Sequence, residues 1–546
     1  MTLPRLLARD SRWRHWLVGL CLGGLLVLGL ATVRDYGMSY DAQPSREIGM
    51  TSLRYVADKV NPGFVTQPSQ WGNFAYFNVP LAQFKDRDYG VAYELPVTLA
   101  ERLLELPDTR SVFIFRHLCT FLVSWVGVLA LYGLGRRRYG GDWRAGLAAA
   151  ALLVLSPRLF GEFFYNDKDA VFLALSTVAT YTTVRFVERP TWRWACLHAL
   201  ACALAIDVRL MAVLWPLATL VLVAWQSARG EYRAVGSRRQ RVGGLLSYAL
   251  LLPLLVVACW PFLWAAPWTN FVQAFHNMQH FRWDGPILYR GKVIYAFDLP
   301  WHYVPQWILI TTPLAQLALL GLGLGVVVRQ AVRRGWLLYG AGTREWQDLL
   351  FLGLGLSPLL AVIVLHSVLY DGWRQTYFIY PPLLLVALRG LVALWRWLPG
   401  RAWWQQRLVA GALVIGALSS AVQIVWMYPL ESLYFNVLAG PNPKARFEQD
   451  YWGISYLRGL EWVLAHDDRP VIRVCTDPGM SPPLRDNSQM LPPGSKERIQ
   501  VVYKPEEADY FLANYRCHPA PYDLLHETGA VRAGNEVVLS IFRLKW

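Results

Sequence analysis

The chain has 546 residues, of which 55% are hydrophobic and only 17% charged, with 26 Trp. A soluble chain carries charge on about a quarter of its residues, so this composition excludes an ordinary soluble globular protein and indicates a membrane protein. The formal net charge of +15 does not mark a nucleic-acid binder, because the Arg residues cluster in short loops between apolar runs, as topology determinants do.

The N-terminal "RLLARDSRWRH" leads into the charge-free run "WLVGLCLGGLLVLGLATV". A basic lead before an apolar core mimics a signal peptide, but the run has bilayer length and no A-x-A-like cleavage site follows, which predicts an uncleaved first helix. Apolar runs of similar length recur, predicting about eleven spans at roughly 14–33, 111–135, 144–160, 170–187, 192–207, 208–226, 243–264, 304–329, 348–366, 377–394 and 405–427. The pair 192–207 and 208–226 meets at "AIDVRL" and reads equally as one bent hairpin. "RRRYGGDWR", "ERPTWRW", "SARGEYRAVGSRRQRVGG", "RQAVRRGW" with "GTREW", and "RWLPGRAWWQQR" fall on one parity of connections. The positive-inside bias then places the N-terminus in the cytoplasm, residues 34–110 outside and, after an odd number of spans, residues 428–546 outside.

The expected organisation is a transmembrane domain over 1–427 and an extracytoplasmic domain over 428–546. The first outer loop, 34–110, carries candidate interfacial helices at 43–60 and 95–108. Segment 265–303 combines the amphipathic "TNFVQAFHNMQHF" with the turn-rich "RWDGPILYRGKVIYAFDLPWHY". The tail alternates turn clusters with short β-like runs ("PVIRVCT", "RIQVVYK", "ADYFLANY", "EVVLSIFRL"), predicting a small α/β fold.

The predicted topology gathers the chemistry-bearing residues on one membrane face. They are Asp41 and Glu47; Asp167, Lys168 and Asp169; Asp207 and Arg209; Arg282, Asp284, Arg290, Lys292 and His302; and Asp371, Arg374 and Tyr377. Ionisable groups beside lipid are costly unless they pair or face a wet cavity. A carboxylate among several cations suits one reaction type: the carboxylate accepts a proton from an incoming hydroxyl while the cations stabilise a departing phosphate. Plainer roles compete. "NDKD" suits a helix N-cap, and most of the Trp and Tyr suit an interfacial belt. "HNMQH" places His276 and His280 on one helix face, half a metal site without a third ligand. Five of the seven cysteines lie in apolar segments and no C-x-x-C occurs; Cys475 and Cys517 are left as either a pair or two buried thiols.

The order of features, "SYDAQPSREIGM", "SPRLFGEFFYNDKDAVF", "LPWHYVPQWILITTP", "HSVLYDGWRQTYFIYPP" and "YPLESLYFNVLAG…RFEQDYWGISY", resembles bacterial family 39-like glycosyltransferases of the GT-C superfold. Protein O-mannosyltransferases and the lipid A aminoarabinose transferase are relatives of that group. The resemblance covers roughly 14–460. It implies a multi-pass enzyme of the bacterial cytoplasmic membrane that takes a sugar from a polyprenyl-phosphate donor to an acceptor hydroxyl on a protein, lipid or glycan, with inversion. Asp41 matches the family's first-loop acid and is the expected base. Related mannosyltransferases often keep a second acid directly after it; here Ala42 stands there and Glu47 is the next acid. Loop position and charge assign the donor phosphate to Lys168 and Arg374, with Arg209 and Arg290 beside them; Asp167, Asp169, His302, Asp371, Tyr377 and Glu47 are supporting candidates. No cofactor is expected, and Asp167 and Asp169 are the residues that would hold a divalent cation. A transporter or flippase, which would carry charges midway along discontinuous helices, and a lipid-linked phosphotransferase are the alternatives.

Overall fold

The computed structural model describes residues 11–66, 79–279, 283, 285–335, 343–516, 518–524 and 526–545. His280, Arg282, Asp284 and Cys517 lie outside the described residues. Among those described, nine helices are long and apolar enough to cross a membrane, or ten if one bent pair counts as a span.

Helix α1 (Ser11–Thr32) is followed in the first loop by α2 (Ala42–Val60), the short α3 (Gly63–Thr66) and α4 (Glu94–Leu103), close to the helices expected there. Helix α5 (Thr109–Arg138) opens on Asp108, whose side chain accepts the Ser111 N–H at 2.8 Å. The span expected at 144–160 is instead two helices, α6 (Trp143–Val154) and α7 (Pro157–Tyr165), bent by 76°. Proline lacks the donor a continuing helix needs and clashes with the turn before it, so Pro157 starts a new direction. All of α7 is buried within the protein. Next come α8 (Asp169–Glu188), α9 (Trp192–Val208) and α10 (Leu214–Ala228), the last two distinct helices joined by the 3-10 turn Leu210–Val213. Then follow α11 (Arg238–Cys259), α12 (Pro267–Gln279) and a hairpin of β1 (Pro286–Tyr289) and β2 (Lys292–Tyr295).

The span expected at 304–329 is also broken, into α13 (Tyr303–Thr311) and α14 (Leu314–Arg334), with Pro313 at the break. The carbonyls freed there are satisfied by one residue. The Asn436 side-chain amide donates to Leu309 O at 2.7 Å and Thr312 O at 2.6 Å, and its backbone N–H donates to Ile310 O at 2.8 Å. Irregular backbone at membrane depth is tolerated where protein meets its hydrogen bonds in this way. Helices α15 (Trp346–Val364), α16 (Tyr380–Trp397) and α17 (Trp403–Met427) complete the membrane part.

Burial sorts these helices into a centre and a rim. The apolar windows of α8 and of the span ending in α16 are 78% and 72% buried, whereas those of α11 and α17 are 17% and 6% buried. The central α16 lies close against α14: a Cβ at Gly390 would meet Leu319 O at 2.2 Å, and one at Gly323 would meet Val386 O at 1.9 Å. Only glycine permits that approach.

Beyond α17, α18 (Ser455–His466) and α19 (Ser481–Ser488) pack with a five-stranded mixed sheet. Its strands are β3 (Ile472–Cys475), β4 (Ile499–Val501), β5 (Tyr510–Ala513), β6 (Glu527–Ala533) and β7 (Glu536–Arg543), in the order β4-β3-β5-β7-β6. The β4-β3-β5 pairs are parallel and the β5-β7-β6 pairs antiparallel. This tail shares a core with the first loop and α5: Met38, Val112 and Phe113 cluster with Tyr456, Leu512 and Leu539. Asn487 fixes the seam, accepting the Met38 N–H at 2.9 Å and donating to Met38 O at 3.0 Å. Hydrophobic packing thus runs across the expected division at 427/428. Cys475 is a free thiol that burial pushes up to about 12.

Candidate functional site

Four stretches distant in sequence converge at one end of the central helices. The chain leaving α1 is held by Tyr36, whose ring stacks on Phe164 at 4.2 Å and whose hydroxyl donates to the buried Glu431 at 3.0 Å. The Tyr40 N–H donates to Trp452 O at 2.9 Å, and Asp41 follows at the N-cap of α2. An N-cap Asp ordinarily accepts a backbone N–H of the first turn. Asp41 makes no such bond; its Oδ2 accepts from Arg374 Nη1 at 3.0 Å.

Arg374 is delivered by a sharp turn in which Asp371 and Gly372 both take positive φ (56° and 74°), after which a 3-10 helix, Arg374–Ile379, runs into α16. Its guanidinium is 2% exposed and binds three carboxylates: Asp41, Asp169 at 3.1 Å and Asp371 at 3.1 Å. It also lies over the rings of Trp452 (4.5 Å) and Tyr370 (4.9 Å).

The buried α7 carries "NDKD" into the same place. Asn166 accepts the Asp169 N–H at 2.7 Å and so starts α8. Capping therefore falls to Asn166, and the Asp169 carboxylate is left to bridge Arg374 and Arg209. Arg209 ends α9 next to Asp207, which accepts the Ala92 N–H at 2.6 Å. A Cβ at Gly90 would meet Asp207 O at 1.6 Å, so the first loop sits directly on the end of α9. Asp167 accepts from Ser45 Oγ at 3.1 Å. Lys168 projects between these groups with its ammonium over the Tyr89 ring at 4.8 Å, and no carboxylate lies within salt-bridge distance of it among the described residues. Beyond Tyr89 a cavity of about 170 Å³ is lined by Lys85, Asp86, Asp88, Asn277 and Trp283.

Two features of this cluster decide its chemistry. Four cations meet here: Arg374, Arg209, Lys168 and Arg516 face Asp41, Asp169 and Asp371, with Arg516 donating to Asp371 at 2.6 Å. Exposure is also uneven: the Asp41 side chain is 25% accessible, against 0% for Asp169 and 6% for Asp371. Asp41 is therefore the carboxylate of the three that an incoming molecule reaches. Partial burial alone raises its carboxyl, but the fields of Arg374, Lys168 and Arg209 outweigh that and hold it below the usual carboxylate range. Burial dominates at Asp371 and raises it, despite Arg516 and Arg374.

Other candidates lie elsewhere. Arg290 stands exposed at the tip of the β1-β2 hairpin, at φ 55°, with no ion pair to the cluster. His302 bonds the Tyr289 hydroxyl through Nδ1 at 2.7 Å. Tyr377 donates at 2.8 Å to Glu162 on α7, which Tyr451 and Asn166 also bond. Glu47 accepts only a long 3.5 Å bond from Gln43. Sequence reasoning missed Arg516, which sits in a loop of the tail without a motif, and Glu448, a buried acid that burial and the neighbouring Asp371 push up to about 8. Of the two acids that the sequence left open for a cation, Asp169 is bridged by two guanidiniums and Asp167 accepts from Ser45. Among the described residues, no group of three His, Cys, Asp or Glu side chains is arranged to hold a metal.

Residues 110–260 match the family model described as "Dolichyl-phosphate-mannose-protein mannosyltransferase". The matched segment runs from the start of α5 to the end of α11, and the chain reads as a multi-pass membrane protein. No curated protein matches it. Among solved structures it is similar to ArnT from Cupriavidus metallidurans in the apo state, at 14% identity and TM-score 0.47, with 89% of this chain and 77% of that one covered. The same protein bound to undecaprenyl phosphate aligns at 12% identity and TM-score 0.42, covering 90% and 77%. Arabinofuranosyltransferase AftD from Mycobacteria aligns at 12% identity and TM-score 0.41, covering 97% of this chain and 40% of that one.

Proposed function

We propose that the chain transfers a sugar from a polyprenyl-phosphate donor to an acceptor hydroxyl, with inversion, on the outer face of a bacterial cytoplasmic membrane. The observation that carries this reading is one accessible carboxylate, Asp41, bound by Arg374 and flanked by Lys168, whose ammonium makes no salt bridge among the described residues. The family description, with its dolichyl-phosphate-mannose donor, supports the donor class.

In this reading the donor's polyprenyl tail lies in the bilayer beside the helices and its phosphate enters between Lys168, Arg374 and Arg209. Lys168 meets it first, because no carboxylate lies within salt-bridge distance of it among the described residues. The acceptor oxygen forms a bond to the anomeric carbon as the bond from that carbon to the phosphate oxygen breaks. The hydroxyl proton passes to Asp41, and the electron pair leaves with polyprenyl phosphate, whose growing charge the guanidiniums and the ammonium stabilise. Side-chain cations supply what a divalent metal would, so the reaction runs without one. The cavity beyond Tyr89, with its acids and Asn277, suits sugar hydroxyls.

The test is turnover by the purified chain with a panel of polyprenyl-phosphate sugars and nucleotide sugars, in wild type and Lys168→Met. Transfer from a polyprenyl-phosphate sugar is expected, with kcat/KM lowered about 10²–10³-fold in the variant, the range for losing one charge-stabilising donor. Transfer from a nucleotide sugar alone, or an unaffected variant, overturns the reading.

A further inference from the structure

The opposite end of the central helices holds a second basic site that sugar transfer does not use. A cavity of about 290 Å³ opens there, lined chiefly by Arg138, Tyr139, Arg344, Glu345, Arg389 and Arg396. Arg374 leads into α16, and at helical rise Arg389 and Arg396 lie roughly 22 and 33 Å further along, comparable with a bilayer core of about 30 Å. Arg138 ends α5, and Glu345 precedes α15.

Four guanidiniums here face two carboxylates. Asp348 accepts from Arg138 at 2.7 and 2.8 Å and lies 3.6 Å from Arg389 Nε, beyond hydrogen-bond reach; Glu345 lies 3.9 Å from Arg138. The Tyr139 ring sits between the guanidiniums of Arg138 at 5.2 Å and Arg396 at 6.0 Å. Arginines that serve only to set topology need neither burial nor a cavity. Yet Arg138 and Arg389 are 7% and 5% exposed, and Arg389 Nε is buried without a hydrogen-bond partner. An unmet buried donor in a net-positive cavity calls for an anion. The flanking Trp395 and Trp397 are 66% and 43% exposed, as aromatic anchors at headgroup depth are.

We propose that this cavity binds the phosphate of an anionic phospholipid headgroup from the leaflet opposite the Asp41 site. Guanidiniums match phosphate oxygens in paired fashion, and basic pockets between transmembrane helices take lipid headgroups. The ligand is a lipid rather than free phosphate because the arginine set lies beside exposed tryptophans at the end of α16, where acyl chains have apolar helix surface to follow.

The test uses the full chain in detergent, with native mass spectrometry and thermal unfolding read against three probes: phosphatidylglycerol, phosphatidylcholine and inorganic phosphate. Wild type is expected to retain one phosphatidylglycerol with at least tenfold preference over phosphatidylcholine, and to gain thermal stability from it. Combining Arg344→Glu with Arg396→Glu, both on exposed residues, is expected to weaken retention at least tenfold without changing the lipid-free midpoint. Should that pair unfold, Arg396→Gln alone is read in the same way, with a loss of several-fold expected. Equal retention by a folded variant, equal binding of phosphatidylcholine, or stabilisation by inorganic phosphate without any by phosphatidylglycerol overturns the proposal.

Discussion

Two buried charge clusters lie side by side on the same face, and they differ in a way that separates architecture from chemistry. In one, Arg46 donates to Glu101 at 2.9 and 3.2 Å, and Arg116 pairs with Glu94 and approaches Glu101 at 3.6 Å. Two cations meet two carboxylates there, and the side chains are 2–6% exposed. That cluster ties α2 and α4 to α5 through side chains that an incoming molecule does not reach. The Asp41 cluster uses the same residue types but keeps an ammonium outside any salt bridge and one carboxylate a quarter exposed. Charge at the membrane boundary is therefore no sign of a site by itself. Access to one of its carboxylates is.

The comparison is broken most directly at Asp41. Asp41→Asn keeps the shape but removes the proton acceptor, and loss of about 10²–10⁴-fold in kcat is expected, with membrane insertion near wild type. Turnover within tenfold of wild type would put the base elsewhere. Glu101→Gln should give the opposite pattern. It leaves Arg46 buried and unpaired, which costs about 3–5 kcal/mol of stability, while kcat per folded molecule stays near wild type. A stable, inactive Glu101→Gln protein would mean that the brace also takes part in chemistry.

Much of this was legible in the sequence, for reasons that are physical. Span positions follow from bilayer thickness, and the outer-loop helices from their amphipathic pattern. The breaks at Pro157 and Pro313 were hidden because apolar residues continue through both prolines, and only tertiary partners such as Asn436 make the interruptions affordable. Asp41, Lys168, Arg209 and Arg374 were selected by loop parity, and the fold brings them together. Parity equally selected Arg290, which sits at the tip of the hairpin, and His302, which bonds Tyr289, because a loop assignment fixes the side of the membrane and not the direction of a side chain. Arg516 had no local signal: it reaches Asp371 only because the tail packs on the first loop. Strand β6 went unpredicted, since "ETGAVRA" is weakly β-forming and mostly solvent-facing.

The gentlest test of the comparison is pH, because Asp41 and Glu94 respond with opposite signs. At Asp41 the cations outweigh burial and the carboxyl is lowered. Its contribution to stability is therefore present above the unfolded value of about 3.9 and is lost as pH falls through the lower folded value. At Glu94 burial outweighs Arg116 and Lys168, and the carboxyl is raised. Its contribution is fully present below the unfolded value of about 4.3 and is lost as pH rises through the higher folded one. Thermal midpoints measured from pH 3 to 9 should accordingly show Asp41→Asn flattening the acid side of the wild-type profile and Glu94→Gln the side above it. The acid limb of kcat/KM, which reports the free enzyme, should fall below the usual carboxylate range. The limb of kcat should lie higher, because a bound donor phosphate draws Lys168 and Arg374 away from Asp41. Coincident limbs would show that the phosphate does not share those cations with the base.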